Sequence, residues 1–309
     1  MNKNNGAAKN ISLILLYLIK WTALCLPVSI AIGSFVAFFL WLLDKAMEWR
    51  VHHPWLLFML PLAGVFIYFI YKWAGKNAVA GNHLILEEIH SPGKGVPFRM
   101  APLVLSTTII THLFGGSAGR EGTAVQIGGS TSHLIARLLR LPEKDVPILL
   151  MVGIAAGFGA VFGTPVTGAL FALEVLAVRQ IKYPALFPCA IASIMADSTC
   201  RAWGIQHTSF KIAFPAIADV RNIFFQVDLV TLAKTVVAGV LFGITAYLFS
   251  HTTRAIKEYS SKWIGIKWMV PFAGGIAIIM FTYLLGTTDY LSLGVYSEDP
   301  GAVTILSSF

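Results

Sequence analysis

Gly115-Gly-Ser117-Ala-Gly119-Arg120-Glu121-Gly122-Thr123-Ala-Val-Gln126-Ile-Gly128-Gly129 is the stretch on which the reading of this chain turns. A glycine-rich break runs into the start of a helix, and one carboxylate, Glu121, stands at that start. Helix N-termini present unpaired N–H groups and the positive end of the helix dipole, so they attract anions. Glycines let a small ion approach the backbone closely. The segment is embedded in apolar sequence. An ionisable side chain at membrane depth costs about 2.5–3.5 kcal/mol on insertion scales, which marks Glu121 as functional by default. Ionised, Glu121 imitates an anion and occupies its site; protonated, it is neutral and swings away. Anion and proton then compete through one side chain. The bland alternatives are that Glu121 pairs with Arg120 or caps the helix.

The surrounding composition makes membrane depth the right setting. Of 309 residues, 56% are hydrophobic and 12% charged, with a mean hydropathy of +0.73. A soluble domain carries about 25% charged residues. Disorder, collagen-like repeats and small disulfide scaffolds are excluded by the same figures. At roughly 20 apolar residues per span, the length accommodates on the order of eight to ten helices, so the expected fold is an all-α polytopic membrane protein. Apolar segments fall at about 11–43, 55–73, 98–115, 121–136, 146–160, 164–178, 183–202, 228–252 and 266–286, with a last one from 301. These are continuous blocks, not the alternating segments of a membrane barrel. The formal charge of +8 comes from short basic clusters between the blocks, such as Arg137 with Arg140 and Arg254 with Lys257. They read as loop cations that orient helices, not as a nucleic-acid surface. Lys3 and Lys9, with no acidic neighbour, place residues 1–10 as a cytoplasmic tail. The run from Ile11 to Leu43 is too long for a signal-peptide core and reads as a tilted helix. Cys25, Cys189 and Cys200 lie in apolar stretches without metal spacing and are assigned no chemistry.

Several segments are broken. Val146 to Leu173 holds no charge, but Gly153, Gly157, Gly159, Gly163 and Pro165 interrupt it. Broken helices survive at membrane depth only where protein or a polar cavity satisfies the freed backbone, and that pattern marks transporter sites. There is also an internal echo. Met59-Leu-Pro61-Leu-Ala63-Gly64 returns as Met269-Val-Pro271-Phe-Ala273-Gly274, and the turns Gly81-Asn82 and Gly294-Val295 follow them. Two structural repeats are expected: 11–205 as the first, 206–227 as a connection, and 228–309 as a partial second. A second copy of full length would need roughly 100 further residues, so the sequence reads as a shortened form.

The GREG segment with V-Q-I-G-G, followed by Gly163-Thr-Pro165-Val-Thr-Gly168-Ala-Leu-Phe171-Ala-Leu-Glu174, resembles the CLC chloride channel and antiporter family. The resemblance covers essentially the whole chain as the first two-thirds of that fold. It implies an inverted-repeat fold of broken, tilted helices with the second repeat incomplete, a homodimer, and a multi-pass place in the cell (inner) membrane. The glutamate of GREG is the family's gate and external proton carrier, which maps to Glu121. The anion site would draw on Gly81, Asn82, Gly119, Arg120, Gly122 and Thr123. Three departures point to the fluoride branch, the CLC-F fluoride/proton antiporters. Thr123 replaces the proline of GREGP. Asn82 stands where chloride members carry the serine of G-S-G-I-P. Val175 stands where proton-coupled chloride members carry a second glutamate. The family's later G-x-F-x-P segment and central-site tyrosine lie beyond Phe309.

Fluoride is small, strongly hydrated and a strong acceptor, and the Asn82 amide offers two N–H donors where serine offers one hydroxyl. Physics does not separate fluoride from chloride; the branch resemblance does. The implied function is fluoride export driven by proton entry. A chloride/proton antiporter, a passive anion channel and an inactive truncated fragment are the alternatives. No metal, organic cofactor or catalytic residue is implied. Among other candidates, Glu87 and Glu88 read as solvated carboxylates before the Pro92-Gly93 turn, His112 as a core histidine against a proton relay, and His52 and His53 as loop residues. Phe158, Phe162 and Phe171 read as helix packing. In the family the surface around Glu174 helps form the dimer interface and the inner mouth.

Overall fold

A computed structural model describes residues 3–174, 183–207, 229–289 and 291–292, with side chains from residue 11 onward. The described residues form ten α-helices: α1 (Lys3–His52), α2 (Leu60–Ile70), α3 (Asn82–His90), α4 (Met100–Leu113), α5 (Arg120–Leu138), α6 (Val146–Phe162), α7 (Pro165–Glu174), α8 (Leu186–Ala202), α9 (Leu229–Trp263) and α10 (Met269–Leu285). The all-helical expectation holds. The expected connection at 206–227, the last apolar stretch from 301, Val175, Arg179, Lys182 and Gly294-Val295 lie largely or wholly outside the described residues.

Three helical stretches are long and apolar enough to cross a membrane: Ile11–His52, Pro54–His90 and Leu229–Trp263. Helix α1 has 50 residues, about 75 Å at 1.5 Å per residue, so it must tilt or project from a hydrocarbon core of roughly 30 Å. Trp21, Cys25, Val28, Ile32, Val36, Phe39, Leu43 and Met47 are its buried stripe at three- and four-residue spacing. Leu26, Ile30, Phe38 and Trp41 on the other side are exposed, as a lipid-facing surface requires. The second stretch was expected to end near residue 73. Instead it continues through a π turn (Tyr71–Gly75) and a 3-10 turn (Lys76–Ala80) into α3. Positive φ at Lys76 and Gly81 redirects it without ending it.

Helix α6 is the core. Leu149 through Ala156 are buried without exception, and α1, α3, α5, α7 and α8 pack around it. It stays so close to α5 because the crossing is made of backbone. A Cβ on Gly128 would lie 2.0 Å from the Gly153 carbonyl oxygen, and one on Gly157 2.4 Å from that of Ala124. Small residues that let helices touch replace the hydrophobic drive that lipid removes. At the far end of α6, Gly163 (φ +68°) turns the chain into α7, and Phe158, Phe162 and Phe171 cluster there at ring spacings of 4.7 and 4.1 Å.

The two echoed blocks meet. A Cβ on Gly64 would touch Pro271 at 3.0 Å, and one on Gly275 would touch Pro61 at 2.7 Å, so α2 and α10 cross proline against glycine in both directions. The register is offset by one residue, because the echo pairs Gly64 with Gly274. Helix α9 has no buried residue among those described.

Candidate functional site

Helix α5 begins where the sequence breaks. Its N-cap, Gly119, is extended (φ −71°, ψ 130°), and no side chain caps it among the described residues. The first-turn N–H groups therefore remain available. Glu121 curls back over this start. Its Oε2 lies 2.6 Å from where a Gly119 Cβ would be, so the carboxylate occupies room that only a glycine leaves. Glu121 is exposed. Among the described residues it forms no ion pair with Arg120, whose guanidinium instead lies 5.2 Å from the Phe162 ring centroid. The pairing alternative is thereby not realised.

Gly81 and Asn82 come to the same place from α3. Gly81 (φ +57°, ψ −134°) is the N-cap of α3, and Asn82 is its first residue. Asn82 Nδ2 sits 3.4 Å from the position of a Gly122 Cβ, and Gln126 Nε2 sits 3.4 Å from that of a Gly81 Cβ. Two stretches 40 residues apart, as their numbers 82 and 122 give, are thus brought face to face. Of the residues expected to form the site, Gly81, Asn82, Gly119, Glu121 and Gly122 converge. Arg120 faces the aromatic cluster. Thr123 is 2% exposed, and its hydroxyl is bonded to Thr108 Oγ1 at 2.9 Å, so it ties α5 to α4.

Beside this start lies an open cavity of about 230 Å³, lined by Ile67, Tyr71, Val104, Thr107, Thr108, Thr111, Ala118, Gly119, Gly122, Thr123 and Gln126. Thr107, Thr108, Thr111 and Gln126 were not assigned from sequence, whereas Thr123 was. Gln126 had one available signal, its position four residues after Gly122 on the same helix face. Behind the break, His112 is fully buried, and its Nε2 pairs with the Ala118 carbonyl at 2.9 Å. The Ser292 hydroxyl donates to the His112 carbonyl at 3.1 Å, and Ser117 donates to Ser292 O at 2.8 Å. His112 thus pins the approach to Gly119, and its Nδ1 has no partner among the described residues.

One expectation is corrected. Glu88 is not solvated: it is 4% exposed and accepts backbone N–H bonds from Gly93, Lys94 and Gly95 at 3.0, 3.0 and 2.8 Å. The loop returns onto it and supplies the donors that water would have given. Glu87 pairs with Lys94 at 2.5 Å. His52 and His53 bond to the carbonyls of Glu48 and Trp49, at 2.8 and 2.9 Å. No group of metal-ligating side chains occurs among the described residues.

The family model described as voltage gated chloride channel matches residues 63–305. A protein of Pseudomonas syringae pv. tomato named chloride/fluoride channel protein is 43% identical over 95% of this chain. The chain spans 63% of that relative's length. A crystal structure of a CLC-type fluoride/proton antiporter superposes with a TM-score of 0.81 at 28% identity, covering 89% of this chain and 68% of the other. A slow cyanobacterial chloride/proton antiporter superposes with a TM-score of 0.68 at 19% identity over 83% of this chain and 62% of the other, which shows the shared fold alone.

Proposed function

The chain belongs to the voltage gated chloride channel family of multi-pass membrane proteins, and from that premise we propose that it exports fluoride in exchange for protons, with Glu121 as the gate. The observation that carries this reading is the Glu121 carboxylate folded onto Gly119 at an uncapped helix start, with the Asn82 amide facing the next turn. An ionised carboxylate is favoured there by the dipole end, and so is a fluoride ion, and the two exclude each other. Protonation removes the charge that holds Glu121 down. The freed N–H groups then receive the anion, and the proton leaves with the next swing. Gly81 and Gly122 keep side chains out of the path, and Asn82 supplies donors short enough to replace water on a small anion. Arg120 contributes positive potential without contact. The name of the Pseudomonas relative and the superposition on a fluoride/proton antiporter support fluoride as the substrate. The division into repeats at 11–205 and 228–309 and the pairing of two copies belong to the same proposal. The meeting of α2 and α10 at the echoed prolines supports the repeat.

The test is flux from proteoliposomes, read with a fluoride electrode, a chloride electrode and a pH electrode together. Fluoride efflux with matched proton uptake is expected. Chloride preference would leave a chloride/proton antiporter, and fluoride flux without proton movement would leave a passive channel.

A further inference from the structure

Around the cavity beside Gly119, most polar side chains are already committed. Thr107 and Thr111 donate to helix carbonyls, those of Leu103 and Thr107, at 2.8 and 2.7 Å. Thr108 and Thr123 bond each other at 2.9 Å, with Thr123 3.4 Å from the Gly119 carbonyl. A hydroxyl has one hydrogen to give, so this wall has little left for an anion. Two carboxamides are different. Asn82 and Gln126 have no side-chain hydrogen-bond partner among the described residues, and each faces a glycine of the other's segment, Gln126 on Gly81 and Asn82 on Gly122.

We propose that the Gln126 carboxamide is a second fluoride donor and a specificity determinant, one helical turn deeper than Gly122. This rests on the fluoride reading above. Gly122 and Gln126 share a face of α5, separated by about 6 Å along its axis. The cavity runs past both. An anion displaced from the Gly119 start by Glu121 therefore meets the Gln126 N–H groups next, while Asn82 still faces the turn above. The absence of a Cβ on Gly81, at φ +57°, keeps that amide accessible. Fluoride, the stronger acceptor and the more strongly hydrated ion, gains more than chloride from two amide donors in sequence. Removing the second amide should accordingly penalise fluoride first.

The experiment is fluoride binding to the purified full chain by 19F NMR, with chloride titrated in parallel and both fluxes followed in liposomes. Gln126→Met keeps the length of the side chain and removes its donors. Gln126→Leu, likewise neutral and without donors but shorter and branched, reports even if the methionine variant fails to fold. We expect fluoride affinity to fall about tenfold to a hundredfold in both, the range for a hydrogen bond to an ion, with chloride changing less than about threefold. Unchanged fluoride affinity in both variants overturns the inference and leaves the gate untouched. An equal loss of both anions overturns the specificity role. A wild-type chain that binds no fluoride overturns this inference together with the fluoride reading.

Discussion

Among the described residues, two helices begin beside an acidic residue, and the two carboxylates are treated in opposite ways. At the start of α6, Asp145 is the N-cap residue, 7% exposed. Its carboxylate does not cap the helix; it is held by Lys20 of α1 at 2.5 Å. At the start of α5, Glu121 is exposed, has no cation on it among the described residues, and lies over a glycine. The two sites share the charge and the helix dipole. What separates them is the partner: an acid pinned by a lysine from another helix is a fastener, whereas the acid lying over Gly119 has no such tether among the described residues. The arrangement around the carboxylate, and not the carboxylate itself, is what makes one of them a candidate for work.

That contrast can be broken or sharpened by substitution. The largest effect is expected from Glu121→Gln, which should reduce fluoride-driven proton movement to the liposome background. Asp145→Asn should leave coupling per folded molecule intact, and equal losses in the two would erase the distinction. Gly119→Ala puts a methyl 2.6 Å from the present position of Oε2, so the carboxylate must move; displaced catalytic geometry of this kind lowers rates by about tenfold or more. Initial fluoride flux in liposomes checks it, and wild-type rates would show that Glu121 does not use this space. Asn82→Ser keeps one donor of two, and the fluoride-to-chloride flux ratio should fall about fivefold, the equivalent of one ordinary hydrogen bond. The smallest effect on transport belongs to Lys20→Met. Because Lys20 is 43% exposed on its side chain, the cost is on the order of 1–2 kcal/mol of stability. A lower melting temperature is expected with coupling unchanged, and altered coupling would mean that the pinned acid also takes part.

How much of this could be read from sequence depends on how far apart the interacting groups lie along the chain. Local signals carried well. The apolar blocks gave the helices, and Gly163-Thr-Pro165 marked the turn between α6 and α7. Glu121 announced itself as the one carboxylate between Glu88 and Glu143. Contacts made across helices did not carry. Lys20 and Asp145 are 125 residues apart, and nothing in either neighbourhood names the other. Glu88 was misjudged for the same reason in miniature, since its donors belong to a loop that only folding brings back. The continuation of the second stretch into α3 was hidden because Lys76 takes a positive φ that its residue type does not advertise. The proximity of Asn82 to Gly122 followed from kinship, and that of Gln126 to Gly81 from the coordinates.

The cradle around Glu88 has a reach beyond its own loop. Helix α3 has nine residues, about 13 Å from end to end, and Glu88 fastens its far end to Gly93–Gly95. A rod that short does not bend; anchored at one tip, it dictates where the other tip points. Asn82 is that other tip. The aim of the Asn82 amide would then be set partly by the loop at Gly93–Gly95, so that changes there could redirect it without touching Gly119–Thr123.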